Sequence, residues 1–212
     1  MTPLITGANR GIGAVLMRHY AERGDTPIGT SRTGGDLEQL DVTDPNSTQA
    51  MGQRLSGQKI DLLICNAGVY LDGGQTLDGY PAEMWAQGFA ANVTGVFLTI
   101  QAMLPNIRAA GGKIAIISSQ MASHNRAPGG SYIYRASKAA VLNLGRNLAT
   151  DLRSEGIPVG IYHPGWVKTD MGGSSADITA DESAAGLIAR FDALGMQNTG
   201  CFETWDGRDH PF

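Results

Sequence analysis

Leu4-Ile5-Thr6-Gly7-Ala8-Asn9-Arg10-Gly11-Ile12-Gly13 is the run whose reading decides the fold. Leu4-Ile5-Thr6 is a short apolar strand that ends in glycine. Pro3 fits it only as the first residue, since proline cannot donate to a sheet ladder. Past the turn, Ile12, Val15, Leu16 and Tyr20 recur at helical spacing until Gly24 stops the helix. A strand that passes through glycines into a helix offers free backbone amides and a positive helix end to an anion. The spacing Gly-x-x-x-Gly-x-Gly differs from the commonest dinucleotide fingerprint. Its place between the first strand and first helix points to the same use, a pyrophosphate held by Gly7, Asn9, Arg10, Gly11, Ile12 and Gly13.

Working outward, strands and helices alternate. Pro27–Thr30, Ile60–Cys65, Lys113–Ser118, Val159–Tyr162 and Gly200–Trp205 read as strands, most of them nearly unbroken apolar runs. Asp44-Pro45 opens a helix with an N-cap and a first-turn proline. The pattern predicts one long helix from near Pro81 past Asn92 towards Ile107, and another from Tyr132 to Leu152. Thr179-Ala180-Asp181-Glu182 is a capping box for the last helix. Apolar strands alternating with helices imply a parallel sheet covered on both faces. The expected architecture is α/β, a doubly wound sheet forming a single domain over residues 1–212, with ligands beyond the carboxyl ends of the strands.

Composition narrows the function. The 212 residues carry a formal net charge of -4 with no run of lysines or arginines, which argues against nucleic acid or an anionic membrane as partner. No contiguous apolar stretch approaches the roughly 18 residues that a membrane span needs, and the N-terminus lacks a secretory pattern. Two cysteines, Cys65 and Cys201, give no disulfide framework, so a cytoplasmic setting is expected. No Cys/His/Asp spacing suggests a metal site. The four histidines are badly placed for a hydrolase triad, and no nucleophile elbow is present.

Chemistry-bearing residues gather at predicted strand ends. The second strand runs into Thr30-Ser31-Arg32, with no carboxylate for a ribose 2'-hydroxyl. Arg10 and Arg32 suit a 2'-phosphate, so NADP(H) is favoured, with NAD(H) as the alternative. Asp41, next to Val42, either accepts from an adenine amino group or serves an ordinary turn. Asn66-Ala67-Gly68 lets a ribose or ring approach closely. Ser118 and Ser119 point to opposite faces, so one of them can polarise a carbonyl. Pro164-Gly165-Trp166-Val167-Lys168-Thr169 offers amides and a hydroxyl for a carboxamide, with Trp166 either against the cofactor or in the core. Tyr134 stands one helical turn before Lys138, where a cation favours the phenolate and can make tyrosine a general acid or base. Tyr132 is about 200° around the helix and has no lysine one turn on.

Taken in order, Thr6-Gly7-x-x-x-Gly11-Ile12-Gly13, Asn66-Ala67-Gly68, Asn92, Ser119, Tyr134-x-x-x-Lys138 and Pro164-Gly165-x-Val167-x-Thr169 resemble the short-chain dehydrogenase/reductase family over essentially the whole chain. The stretches Gly129–Lys138 and His163–Met171 look like its C-factor and sniffer-type carbonyl reductase branch. The resemblance implies a seven-stranded Rossmann sheet and hydride transfer between a nicotinamide and a carbonyl or alcohol. It implies Tyr134 as general acid/base, Lys138 lowering its pKa and, with Tyr134, contacting the cofactor by holding the nicotinamide ribose, Ser119 orienting the carbonyl and Asn92 positioning a relay water. Thr169 and the Val167 backbone would contact the carboxamide, and Asp41 and Val42 the adenine. A C-factor-like sensor with little turnover, or an NAD-dependent alcohol dehydrogenase, is the alternative. Relatives often pair through the helices carrying Asn92 and Tyr134, so a homodimer or homotetramer is expected as an option. Cys65 departs from the family's usual asparagine, and Ser119 and Tyr134 are spaced more widely than in many members. The segment from Asp170 to Ile178, where the family's lid lies, is short, which predicts an open cleft.

Overall fold

Strands β1 (Pro3–Ile5), β2 (Ile28–Ser31), β3 (Glu38–Gln39), β4 (Leu62–Cys65), β5 (Lys113–Ile117), β6 (Val159–His163) and β7 (Phe202–Thr204) form one sheet in the computed structural model, which describes residues 1–212. All pairings of named strands are parallel, in the order β3-β2-β1-β4-β5-β6-β7. The register sets Leu4 opposite both Ile28 and Leu63, and Ile116 opposite both Cys65 and Ile161. Six helices cover the sheet: α1 (Gly11–Glu22), α2 (Pro45–Arg54), α3 (Ala82–Phe89), α4 (Gly95–Ala110), α5 (Tyr132–Asp151) and α6 (Ala180–Ala193).

Strand alternation divides the core in two. Leu4, Leu63, Cys65, Ile114 and Ile116 point to the face covered by α2, α4 and α5, where they meet Met51, Ile100, Met103 and Val141. Their neighbours Ile5, Leu62, Ile64, Ala115 and Ile117 point the other way, to Leu16 and Tyr20 of α1 and Leu187 and Phe191 of α6. Because both faces are buried, the strands read as continuous apolar runs. The order reverses at β1, whose neighbours are β2 and β4, and the connections there diverge to leave a cleft at the strands' carboxyl ends.

Both predicted caps form. Asp44 accepts the Asn46 amide at 2.9 Å ahead of Pro45, and Thr179 and Glu182 bond reciprocally at the start of α6. The long helix expected from Pro81 to Ile107 is different. It is two helices, α3 and α4, joined by a π turn over Ala90–Thr94 that contains Asn92. A π turn adds residues without breaking the apolar face, so the helical period runs through it unnoticed. The combined element, Ala82–Ala110, is long and apolar enough by composition to cross a membrane, which corrects the expectation drawn from contiguous runs alone. Its apolar residues have a partner within the fold, since Val96, Ile100, Met103 and Ile107 lie in the sheet core.

Candidate active site

The glycine turn is laced to the end of β4. Thr6 Oγ1 accepts the amides of Asn66 and Ala67 at 3.0 and 2.9 Å. Asn66 Nδ2 donates to the carbonyls of Thr6 and Gly7 at 2.9 and 3.2 Å. These bonds draw the turn's carbonyls inward. Arg10, at the N-cap of α1, makes no side-chain cap, the first turn holds no acidic residue, and the amides of Asn9 to Gly13 have no acceptor within the protein. Gly13 lies so close to the turn that a Cβ there would stand 2.3 Å from the Gly7 oxygen and 2.7 Å from Asn66 Nδ2. Orphan amides over a cradle with no room for a side chain fit a dinucleotide's pyrophosphate. Gly13→Ala is expected to destabilise the fold by about 2–3 kcal/mol and to weaken nucleotide binding. Thermal unfolding with and without added nucleotide measures both, and wild-type values in each would contradict this geometry.

The two arginines have different surroundings. Arg32, exposed beyond β2, has no ion-pair partner and helps to hold Asp41 below the usual carboxylate range. The larger causes at Asp41 are the hydroxyl and amide of Thr43, both bonded to Oδ1, so Asp41 closes a local turn. Arg10 instead reaches Asp170 at 2.8 Å, joining the glycine turn to the β6–α6 connection. That connection is bonded to itself. The Trp166 carbonyl accepts the amides of Asp177 and Ile178, Val167 bridges Ile178, and Thr169 Oγ1 accepts the Gly172 amide. Thr169 also faces Gly11 across the turn, where a Cβ would come within 3.6 Å of Thr169 Cγ2. Pro164 and Gly165 begin the connection, with the Pro164 carbonyl held by Ser183 at 2.6 Å.

At the end of β5 the two serines separate, as strand geometry requires. Ser118 donates to the Lys138 carbonyl at 3.0 Å and is buried. Ser119 stands beside the Tyr134 phenol and accepts the Met121 amide. Lys138 is buried, with Nζ 5.6 Å from the centre of the Tyr134 ring and bonded to the Ile117 carbonyl at 2.9 Å. Tyr134, Lys138 and Ser119 thus come together as the spacing requires. Asn92 is buried beside them. Its Oδ1 accepts the Val69 amide at 2.8 Å, while Nδ2 donates to the Val69 carbonyl and to Ser137 Oγ. Gly68 lies between the groups, since a Cβ on it would be 3.0 Å from Asn92 Oδ1 and 3.6 Å from Lys138 Nζ.

The electrostatics differ from the expectation. Burial pushes the Tyr134 phenol up to about 12. Ser119 beside the phenol opposes the rise, and Tyr70 and Asp72 add to it. Burial also lowers the Lys138 ammonium to about 8. The ammonium sits by the ring and is occupied by the Ile117 carbonyl, so here desolvation governs both groups. Two residues with no sequence signal stand next to Tyr134. Tyr70 packs edge-on against the Tyr134 ring at 5.2 Å, and buried Asp72 accepts the Tyr134 amide.

A cavity of about 460 Å³ opens along the ends of β5, β6 and β7, between Gln120, which follows Ser119, and Trp166 and Trp205. On its lining is His163, buried, with Nδ1 unbonded; desolvation, then His210 and Arg126, lower its pKa to about 4, so the ring is neutral at ordinary pH. No group of three or more His, Cys, Asp or Glu side chains is arranged to hold a metal.

Residues 2–179 match the family model described as short chain dehydrogenase. The chain is 34% identical over 223 residues to 1-hydroxy-2-glutathionyl-2-methyl-3-butene dehydrogenase of Rhodococcus sp. (strain AD45), a match that covers 97% of each protein. It is 39% identical over 155 residues to C-signal of Myxococcus xanthus, covering 72% of this chain and 93% of that one. Among solved structures, the NADPH-bound carbonyl reductase from chicken fatty liver superimposes with a TM-score of 0.90 at 30% identity, over 100% of this chain and 98% of that one.

Proposed function

Because the chain belongs to the short chain dehydrogenase family, we propose that it is an NADP(H)-dependent carbonyl reductase, residues 1–212 forming one domain with Tyr134 as its proton-transfer group. The observation that carries this reading is the seating of Lys138, buried with Nζ 5.6 Å from the centre of the Tyr134 ring, while Ser119 at the end of β5 stands beside the same phenol. When bound, NADP(H) supplies the hydride. Ser119 and Tyr134 receive the carbonyl oxygen, and the Tyr134 phenol gives it a proton. Lys138 Nζ, held by the Ile117 carbonyl, lies where it can also reach a ribose hydroxyl beside Gly68. Asn92 braces the Val69 backbone that carries this wall of the cleft. The amides of Asn9 to Gly13 hold the pyrophosphate, Ala67 and Gly68 leave room for the sugar, and Val167 and Thr169 face the carboxamide. Asp41 and Val42 line the adenine end.

The 2'-phosphate preference rests on Arg32, which stands free beyond β2, and agrees with the NADPH held by the chicken reductase. Arg32→Ala is expected to weaken NADPH binding about tenfold and to leave NADH binding unchanged, because only the phosphate contact is lost. Titration of both nucleotides against wild type and variant checks this, and an equal loss for both would mean that Arg32 does not read the phosphate. The body of the substrate enters the cavity beside Gln120 and Trp166, whose polar lining suits carbonyl compounds with further hydrogen-bonding groups.

The kinship with C-signal favours a second reading, a nucleotide-binding signalling protein with little turnover. Purified protein with NADPH and a broad panel of aldehydes and ketones separates the two. Consumption of NADPH supports the reductase; tight binding with none across the panel supports the signalling reading.

A further inference from the structure

Helix α5, which carries Tyr134 and Lys138, begins without a local cap. Ser131 stands before it at φ +48, its side chain caps nothing in the helix, and its hydroxyl bonds to Tyr70 at 3.0 Å. No acidic residue lies in the first turn. The cap comes from about sixty residues upstream. Asp72 Oδ1 accepts the Ile133 amide at 2.9 Å, and Oδ2 accepts the Tyr134 amide at 3.1 Å. Asp72 is only 4% exposed, so its oxygens serve the two amides with little help from water. The positive end of a 20-residue helix stabilises such a carboxylate, and two bonds to rigid amides prevent it from swinging away.

Four groups surround Tyr134: Ser119 from the end of β5 and Tyr70 from the β4–α3 connection beside its ring, Asp72 from the same connection at its amide, and Lys138 from its own helix. Asp72 is the one carboxylate among them. We propose that Asp72 is the positioning residue of this centre: its buried carboxylate seats Tyr134 beside Ser119 by capping α5, and its fixed negative charge adds to burial in holding the phenol in the proton-donating form. Given the reductase reading on which this rests, the charge favours carbonyl reduction over alcohol oxidation, because oxidation needs the phenolate as base. The direction agrees with the effect of Asp72 on the phenol, which is to raise its pKa.

The test compares Asp72→Asn and Asp72→Ser, which remove the charge and leave an acceptor for the helix, with Asp72→Glu, which keeps the charge. The readout is the titration of Tyr134 in cofactor-free protein carrying ¹³Cζ-tyrosine, the resonance being assigned by its loss in Tyr134→Phe. It needs no substrate, so it stands or falls apart from the reductase reading. Asn and Ser are expected to move the titration to lower pH, with the alkaline limb of carbonyl reduction following, while Glu leaves it in place. A residue that only held the helix would lower the melting temperature and leave the titration where it was. An unchanged Tyr134 titration in both the Asn and Ser variants would overturn the proposal.

Discussion

Tyr134→Phe is expected to lower kcat for carbonyl reduction by about 10³-fold while NADPH affinity stays within about threefold of wild type. The substitution removes the oxygen beside Ser119 and keeps the ring that packs against Tyr70, so the fold is undisturbed. A phenol raised to about 12 is fully protonated at neutral pH, which suits the reductive direction. It need not be acidic in the resting protein, because an alkoxide developing on the substrate is a stronger base than a phenolate and takes the proton downhill. Without that donor the developing charge faces only Ser119. Steady-state kinetics on any accepted aldehyde, together with an NADPH titration, test both halves; a variant with wild-type kcat would remove Tyr134 from the mechanism.

Lys138→Met is expected to lower kcat/KM by about 100-fold without loss of stability. The ammonium is buried and its pKa falls from 10.5 to about 8, so burial in the native state disfavours its charge. Between those values the unfolded chain binds more protons than the folded one, and wild-type stability therefore rises with pH across that window. Below about pH 8 the full cost of the buried charge is present. Methionine fills similar volume without that cost and loses one bond to the Ile117 carbonyl, so a gain of about 2 kcal/mol is expected at neutral pH. The gain fades as pH approaches 10.5. Chemical denaturation of both proteins at several pH values measures it. A residue kept for structure would behave in the opposite way, its loss costing stability at neutral pH.

Local features were legible in the sequence, and features that depend on distant contacts were not. The glycine turn, the caps at Asp44 and Thr179, and the placing of Tyr134 and Lys138 one turn apart depend on residues within a few positions of each other. Most strands were found because both sheet faces are buried and leave apolar runs, whereas β3 is a short polar pair, Glu38–Gln39, that leaves none. The π turn at Ala90–Thr94 was missed because the apolar stripe continues through it. Ser118 and Ser119 could be told apart only when α5 was in place, with the Lys138 carbonyl on one side and the Tyr134 phenol on the other. Asp72 has no motif; it lies in a loop and acts on amides about sixty residues away. The pairing of Arg10 with Asp170 spans 160 positions. The dominance of burial over the ammonium in setting the phenol is a property of the packed site and cannot be read from spacing.

The most direct test follows the hydride itself. Purified protein is given NADPH deuterated at the reactive carbon of its nicotinamide and a panel of aldehydes and ketones, and the products are examined by mass spectrometry. Deuterium on the former carbonyl carbon of a product, abolished in Tyr134→Phe protein that still binds NADPH, is the predicted result. Products free of deuterium, or label transfer undiminished by the loss of the phenol, would contradict it.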